Sequence, residues 1–129
     1  MSPKTGKYVS GKFYSSVKYK ANKRGIDFAD DLTIEFLDEL LEQQEFKCFY
    51  SGLPIDAKTR NGITASLDRR DSNRGYERDN VQFTCIKVNF MKHVISDAEF
   101  IELVGQIYNN IVEKTKKVED VYKEWTAFK

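Results

Sequence analysis

Three oxygen-bearing side chains, Asp68, Asn80 and Asn89, stand 12 and 9 residues apart in a stretch with the pattern strand, polar loop, strand, helix. A short hairpin followed by a helix can bring a carboxylate at a strand end near an amide oxygen on the helix. Asp68 and Asn89 could therefore face one divalent ion. Oxygen ligands that leave room for water and phosphate suit Mg²⁺ or Mn²⁺. Such an ion stabilises charge on a phosphate and on the oxygen that leaves it, so the spacing indicates phosphate chemistry.

The hairpin and helix that carry these residues are predicted from the hydrophobic pattern. Apolar and polar residues alternate over 63–69 and over 80–85, which predicts two strands. The polar stretch 70–79 predicts a loop, and residues 86–93 predict a helix. The side chains expected to point inward are Ile63, Ala65 and Leu67 on the first strand, Val81, Phe83 and Cys85 on the second, and Ile86 or Val88 on the helix, with Phe90 and Met91 beside them.

Flanking helices complete the predicted α+β architecture, which we take as one domain over residues 1–129. A four-residue apolar spacing predicts a basic helix over 10–23, stopped by Gly25. Residues 30–33 offer N-caps for an acidic helix that runs to about Gln44. The letters SDAE at 96–99 form a capping box for a helix to about Lys117. The apolar residues of 118–129 suggest a last short helix.

The near-neutral net charge of +1 conceals strong local imbalances. Residues 1–24 hold seven basic residues and no acid, so this N-terminal arm carries +7. Residues 25–55 carry −7, and residues 56–92 carry +3. A basic arm and a basic middle segment are the electrostatic pattern expected of a nucleic-acid binder.

Other classes of protein are disfavoured. No apolar run approaches the ~20 residues that span a bilayer, and the N-terminus lacks the apolar core of a secretory signal. Two cysteines and one histidine cannot build a four-ligand structural zinc site. We expect reduced thiols at Cys48 and Cys85, no membrane partner and a cytoplasmic location.

The same segment resembles the HNH endonuclease family. The letters ASLDR at 65–69, GY at 75–76, NVQ at 80–82 and VNFMK at 88–92 are similar to its small phage-type branch. That branch follows the pattern S-L-D-R-x-D-S-x-x-G-Y-x-x-x-N-V-Q, then V-N-x-M-K. Residues 21–26, 47–54 and 100–103 are also similar, so the likeness covers roughly residues 12–110. Several motifs in the same order are more specific than any one of them.

The resemblance implies a ββα-metal fold and metal-dependent cleavage of DNA phosphodiesters. Asp68 occupies the position of the first metal ligand and Asn89 that of the second. Asn80 occupies the middle position, which holds the loop and the general base in place.

The chain departs from the family at Arg69, where the general-base histidine usually stands. A guanidinium stays protonated at neutral pH, so Arg69 suits binding of the phosphate better than proton abstraction. Three alternatives remain for activation of the nucleophile. His93 lies four residues after Asn89 on the predicted helix. Tyr76 could act if Arg69 makes its hydroxyl more acidic. A metal-bound water could also act without a side-chain base.

Basic residues near the site and on the arm are the predicted DNA contacts, through phosphate rather than bases. The resemblance places the last helix against the DNA backbone, which favours Lys92. Lys58, Arg60 and Asn61 could read bases. The remaining predicted contacts are Lys87, Arg70, Arg74, Arg78, Lys18, Lys20, Lys23 and Arg24.

Together these features predict a small DNA endonuclease that uses Mg²⁺ or Mn²⁺. One site per chain cuts one strand, so a monomer should nick DNA, in a phage, homing or other mobile-element role. Two alternatives remain open. One is a non-catalytic DNA-binding module on the same fold. The other is a restriction-type homodimer, joined through the C-terminal helix or tail, that cuts both strands.

Overall fold

The computed structural model describes residues 4–59 and 62–115. The chain divides into two compact units, Met1–Val94 and Ile95–Lys129. The elements of the first unit are α1 (Gly11–Lys23), α2 (Ile34–Gln43), β1 (Ala65–Arg69), β2 (Val81–Cys85) and α3 (Ile86–Lys92); the second unit contains α4 (Asp97–Thr115).

The two strands form the predicted antiparallel hairpin, with Leu67 opposite Phe83 and Asp68 opposite Gln82. β1 begins two residues later than predicted, at Ala65. The predicted alternation of buried and exposed residues fails on β2, where all residues from Val81 to Thr84 are buried. The reason is that α2 contacts β2 while α3 contacts both strands. Polar side chains on the hairpin therefore need partners inside the protein.

Helix α3 directly follows β2, as predicted, but it buries different side chains. Val88 packs against the core, whereas Ile86 is exposed. Phe90 and Met91 are 85% and 65% exposed, so the prediction that they lie beside the packing residues is wrong. The fully buried side chain of this helix is Lys92. Its position orients α3 so that the face bearing Phe90 is open to solvent.

The helices α1 and α2 begin and end close to their predicted limits. Ser10 and Thr33 are the N-caps, and each side-chain oxygen accepts a hydrogen bond from the backbone N–H three residues later. Gly25 follows α1 with a φ of +69°, a conformation that suits glycine. On α2, Asp38 accepts hydrogen bonds from the backbone N–H groups of residues 7, 8 and 9. The basic arm is therefore fixed to the acidic helix just before α1 begins.

The second unit contributes helix α4, whose start was predicted correctly. The backbone N–H of Glu99 donates to Ser96 Oγ at 3.2 Å, as the capping box requires. Ile101, Val104 and Ile107 are exposed on this helix. The predicted end near Lys117 and the predicted helix in 118–129 lie outside the described residues. In the part of the chain that is described, no helix is long and apolar enough to cross a membrane.

Candidate active site

One cavity of about 300 Å³ opens between β1, α3, the β1–β2 loop and the end of α1. It contains both predicted metal ligands, the two candidate bases and two arginines. Charged, polar and aromatic groups thus meet where the C-terminal part of α3 approaches the end of β1 and the β1–β2 loop. The side chains that line it are Arg24, Leu67, Asp68, Arg69, Ser72, Tyr76, Asn89, Phe90, His93 and Val94.

Asp68 stands near the end of β1 and is only 4% exposed. Its Oδ2 accepts a hydrogen bond from Gln82 Nε2 at 3.0 Å, and its Oδ1 accepts one from Lys92 Nζ at 3.1 Å. A carboxylate has about four lone-pair sites, so these two bonds leave each oxygen with one more. The carboxylate is held in a fixed orientation while it lines the cavity.

Lys92 is 1% exposed and forms an ion pair with Asp68. Its ammonium also donates to the Arg69 carbonyl oxygen at 2.8 Å. The prediction that Lys92 contacts a DNA phosphate does not fit this burial, because the ammonium is already paired with Asp68 inside the protein. A buried ammonium needs a partner of opposite charge, and the hairpin supplies one in Asp68.

Asn89 lies on α3 and is half-buried. Its Nδ2 donates to Ser66 Oγ at 2.7 Å, which fixes the orientation of the amide. Within residues 4–59 and 62–115, no hydrogen-bond donor is recorded for Asn89 Oδ1. An oriented amide oxygen and an oriented carboxylate that line the same cavity fit the donor chemistry of Mg²⁺ or Mn²⁺.

The described residues contain no cluster of three or more His, Cys, Asp or Glu side chains suited to a metal ion. A site at Asp68 and Asn89 therefore has two protein ligands. Water and phosphate oxygens would complete the coordination, which is common for Mg²⁺ because it retains several of its waters.

Asn80 is 1% exposed and holds the β1–β2 loop. Its Oδ1 accepts from the Asp71 backbone N–H at 2.9 Å, and its Nδ2 donates to the carbonyl oxygens of Asp71 and Gly75. Asn80 does not line the cavity. These hydrogen bonds connect the start of β2 to two residues of the β1–β2 loop, and the predicted role of Asn80 in the reaction stays a prediction.

The guanidinium of Arg69 lines the cavity and is fixed by the same loop. Its Nη1 donates to the carbonyl oxygens of Ser72 and Arg74 at 2.8 and 2.7 Å. Its Cζ lies 5.5 Å from the centre of the Tyr76 ring. The ring of Tyr76 also packs near that of Phe28, at 5.8 Å between centroids. A positive group and a phenol are therefore held rigidly on one side of the cavity.

His93 follows the last residue of α3 and is exposed. Its backbone has a φ of 53°, which is uncommon for residues other than glycine. Its N–H donates to the Asn89 carbonyl oxygen at 3.0 Å, and Ser72 Oγ donates to the carbonyl of the next residue at 2.5 Å. The chain therefore turns sharply at a cavity-lining histidine.

The remaining predicted DNA contacts fall into two groups. Arg70, Arg74 and Arg78, in the β1–β2 loop, interact with other parts of the protein. Both groups are exposed, and Arg24, the C-cap of α1 and a member of the second group, lines the cavity. The other exposed members are Lys18, Lys20, Lys23 and Lys87. Lys58 donates to the Lys7 carbonyl oxygen at 2.9 Å, while Arg60 and Asn61 lie outside the described residues.

The contributors to the site that were not predicted include Ser66, Ser72, Gln82 and Phe90. Gln82 and Ser66 orient the two predicted metal ligands. Ser72 and Phe90 line the cavity. Ser66, Ser72 and Gln82 are specified positions of the family pattern, so the pattern itself indicated that these residues contribute to the site. Their hydrogen-bond partners could not be known before the fold.

No protein-family model matches the chain, and no curated protein matches it. Among solved structures, the chain is similar to the rare-cutting HNH restriction endonuclease PacI, with a TM-score of 0.53 and 23% sequence identity. The match covers 80% of this chain and 78% of that chain. The chain has an HNH-like fold. In the HNH-like fold, the antiparallel hairpin and the following helix are the elements that here carry Asp68 and Asn89.

Proposed function

We propose that this protein is a DNA endonuclease that hydrolyses phosphodiester bonds with the help of Mg²⁺ or Mn²⁺. The observation that carries the proposal is the single cavity in which Asp68 and Asn89 lie with Arg24, Arg69 and His93. Oxygen ligands, fixed positive charge and an imidazole are the groups that phosphodiester hydrolysis needs. The HNH-like fold supports the same reaction.

Asp68 and Asn89 would hold the ion, which when bound neutralises charge on the phosphate and on the leaving oxygen. Arg69 and Arg24 bind the phosphate oxygens. Arg69 is prepared for this task because two loop carbonyls already fix its Nη1. A donor that is positioned before the reaction needs no rearrangement when charge develops, and this makes it effective in stabilising the transition state.

We assign proton removal from the attacking water to His93. An imidazole accepts protons near neutral pH, and His93 is exposed to the cavity in which the phosphate would lie. Tyr76 is the alternative, since its ring lies beside the Arg69 guanidinium. His93→Ala should lower the rate by about 10²–10⁴-fold. If Tyr76→Phe has that effect and His93→Ala has none, the assignment passes to Tyr76.

One such site per chain cuts one strand, so we propose a nicking enzyme that acts in the cytoplasm on behalf of a phage or mobile element, as homing enzymes do. A second candidate is a homodimer that cuts both strands. The structural neighbour favours this candidate to the extent that PacI is a restriction endonuclease.

A supercoiled plasmid incubated with the protein and either metal tests the proposal. We expect open circles first, and loss of cleavage in Asn89→Ala. Asp68→Asn is preferred to Asp68→Ala because it keeps a partner for the buried Lys92 ammonium. Asp79→Asn, an exposed acid outside the cavity, is the matched control and should cleave normally.

Each product identifies a different function. Linear DNA without an open-circle intermediate supports the homodimer. A plasmid that binds the protein but stays supercoiled with both metals contradicts the endonuclease and leaves the non-catalytic DNA-binding module.

A further inference from the structure

The buried ion pair between Lys92 and Asp68 places a positive charge directly against a proposed metal ligand. The two atoms are 3.1 Å apart, and the side chains are 1% and 4% exposed. Such a pair is expensive to bury, so its presence at this position calls for a reason. The second hydrogen bond of the ammonium, to the Arg69 carbonyl oxygen, ties the pair to the residue that we assign to the phosphate.

The other oxygen of Asp68 has a neutral partner, Gln82, so Lys92 is not the only group that orients the carboxylate. Gln82 Nε2 donates to Oδ2, and Gln82 is itself held by Tyr50 and by Arg70 Nε at 3.1 Å. Gln82 therefore contributes orientation and Lys92 contributes charge. A divalent ion at Asp68 would find the carboxylate already neutralised by an ammonium.

We propose that Lys92 is the resident counter-ion of Asp68 and keeps divalent-metal affinity low until DNA is bound. The inference rests on the proposed function, since it needs the metal at Asp68 and Asn89. A unit positive charge within a few ångströms of a divalent ion lowers its binding constant by about tenfold even when screened as in bulk water. Bound DNA phosphate restores the missing negative charge, so metal and DNA binding become coupled.

Mn²⁺ binding, followed by electron paramagnetic resonance of the free ion, tests this inference without measuring cleavage. Lys92→Met should bind Mn²⁺ at least about tenfold more tightly than the unsubstituted protein. Lys87→Met is the matched control, because Lys87 lies on the same helix but is exposed. The Mn²⁺ affinity of this variant should equal that of the unsubstituted protein. The double variant Asp68→Asn with Lys92→Met should lose the gain.

Equal or weaker Mn²⁺ binding by a folded Lys92→Met variant overturns the inference. The plasmid assay then distinguishes the two proposals. If the unsubstituted protein still cleaves with Mn²⁺ in a way that depends on Asp68, the endonuclease stands and only the role of Lys92 falls. If cleavage and Asp68-dependent binding are both absent, the proposed function falls as well.

Removal of Lys92 leaves a buried carboxylate without its partner, so the variant could unfold. A measurement on the unsubstituted protein keeps the inference testable. With DNA present, the NMR signal of the Lys92 side-chain Cε should shift on addition of Mg²⁺. The Mg²⁺ concentration at half of the full shift should equal the concentration at half-maximal cleavage. A signal that does not move while cleavage reaches its maximum overturns the proposal.

Discussion

The β1–β2 loop and helix α1 are both rich in basic residues, but those residues have different partners. In the loop, Arg74 pairs with Glu77 and Asp79, and Arg78 donates to the Asp31 carbonyl oxygen at 2.6 Å. On α1, Lys20 and the other lysines are exposed and form no ion pair within the described residues. Basic side chains therefore have partners within the protein in the loop, whereas the lysines of α1 have no acidic partner among the described residues.

This difference shows how the +3 of residues 56–92 should be interpreted. The hydrogen bonds from Arg74 to Glu77 and Asp79 raise the pKa of the Arg74 guanidinium, and its charge is compensated within the loop. The positive potential available to the proposed DNA substrate then comes mainly from α1, with Arg24 extending it into the cavity. Segregation of charge on the folded surface is therefore stronger than the sequence blocks indicate.

The largest expected effect comes from removing the charge of α1. A variant with Lys18→Gln, Lys20→Gln and Lys23→Gln should bind duplex DNA more weakly. Its log–log dependence on salt should flatten by about 0.9 for each lost phosphate contact, or about 2.7 for three. Fluorescence anisotropy over a range of NaCl concentrations measures this slope.

The loop supplies the matched control for that experiment. Arg74→Gln with Arg78→Gln removes two charges of the same sign from the hairpin block. Because both guanidiniums already have partners in the protein, the slope should not change. A flatter slope in the loop variant, with no change in the α1 variant, would reverse the comparison between the two regions.

The next effect comes from removing the side chain that holds the β1–β2 loop. Asn80→Ala removes three hydrogen bonds and leaves backbone groups of Asp71 and Gly75 without their partner, so it should destabilise the protein by about 3 kcal/mol. Urea denaturation measures this loss. Asn73→Ala, in the exposed part of the same loop, should change stability by less than about 0.5 kcal/mol. Similar losses in both variants would show that Asn80 does not hold the loop.

Most of the architecture was accessible from the sequence because local signals determine it. The caps at Ser10, Thr33 and Ser96 lie within three residues of their partners, and the hairpin follows from alternation around a polar loop. The hairpin–helix connection also predicted that Asp68 and Asn89 lie together, and both line one cavity.

The fate of the charged side chains was not accessible, because it depends on contacts distant in sequence. Lys92 meets Asp68 across 24 residues, and Arg78 meets Asp31 across 47. A lysine at the end of a short helix is normally exposed, so a periodicity argument assigns Lys92 to solvent. Only the fold shows that β1 presents a buried carboxylate to it.

A smaller effect is expected from substitution of Arg78. Its Nε donates to the Asp31 carbonyl oxygen, just before α2, and its guanidinium lies 4.8 Å from the centre of the Phe36 ring on α2. Arg78→Ala should lower the free energy of unfolding by about 1 kcal/mol. Lys20→Ala on α1 should leave it unchanged, since that side chain is exposed. Urea denaturation of both variants sharpens the comparison, and equal losses would contradict it.

The smallest expected effect concerns Asp56, in the turn that also contains Lys58. Lys58 in this turn donates to the Lys7 carbonyl oxygen, so its charge, like that of the loop arginines, is used inside the protein. Hydrogen bonds from the Thr59 side chain, the Thr59 backbone and the Lys58 backbone lower the pKa of Asp56. The ionised carboxylate therefore stabilises the turn.

Because the folded pKa of Asp56 is lowered, its contribution is complete above the unfolded value of about 3.9 and disappears as the pH falls through the folded pKa. Asp56→Asn keeps an oxygen acceptor but removes the charge. It should be slightly less stable than the unsubstituted protein at pH 7, and the difference should vanish at the acidic end of a thermal unfolding series. A difference that persists or grows in acid would mean that the turn depends on the shape of the side chain and not on its charge.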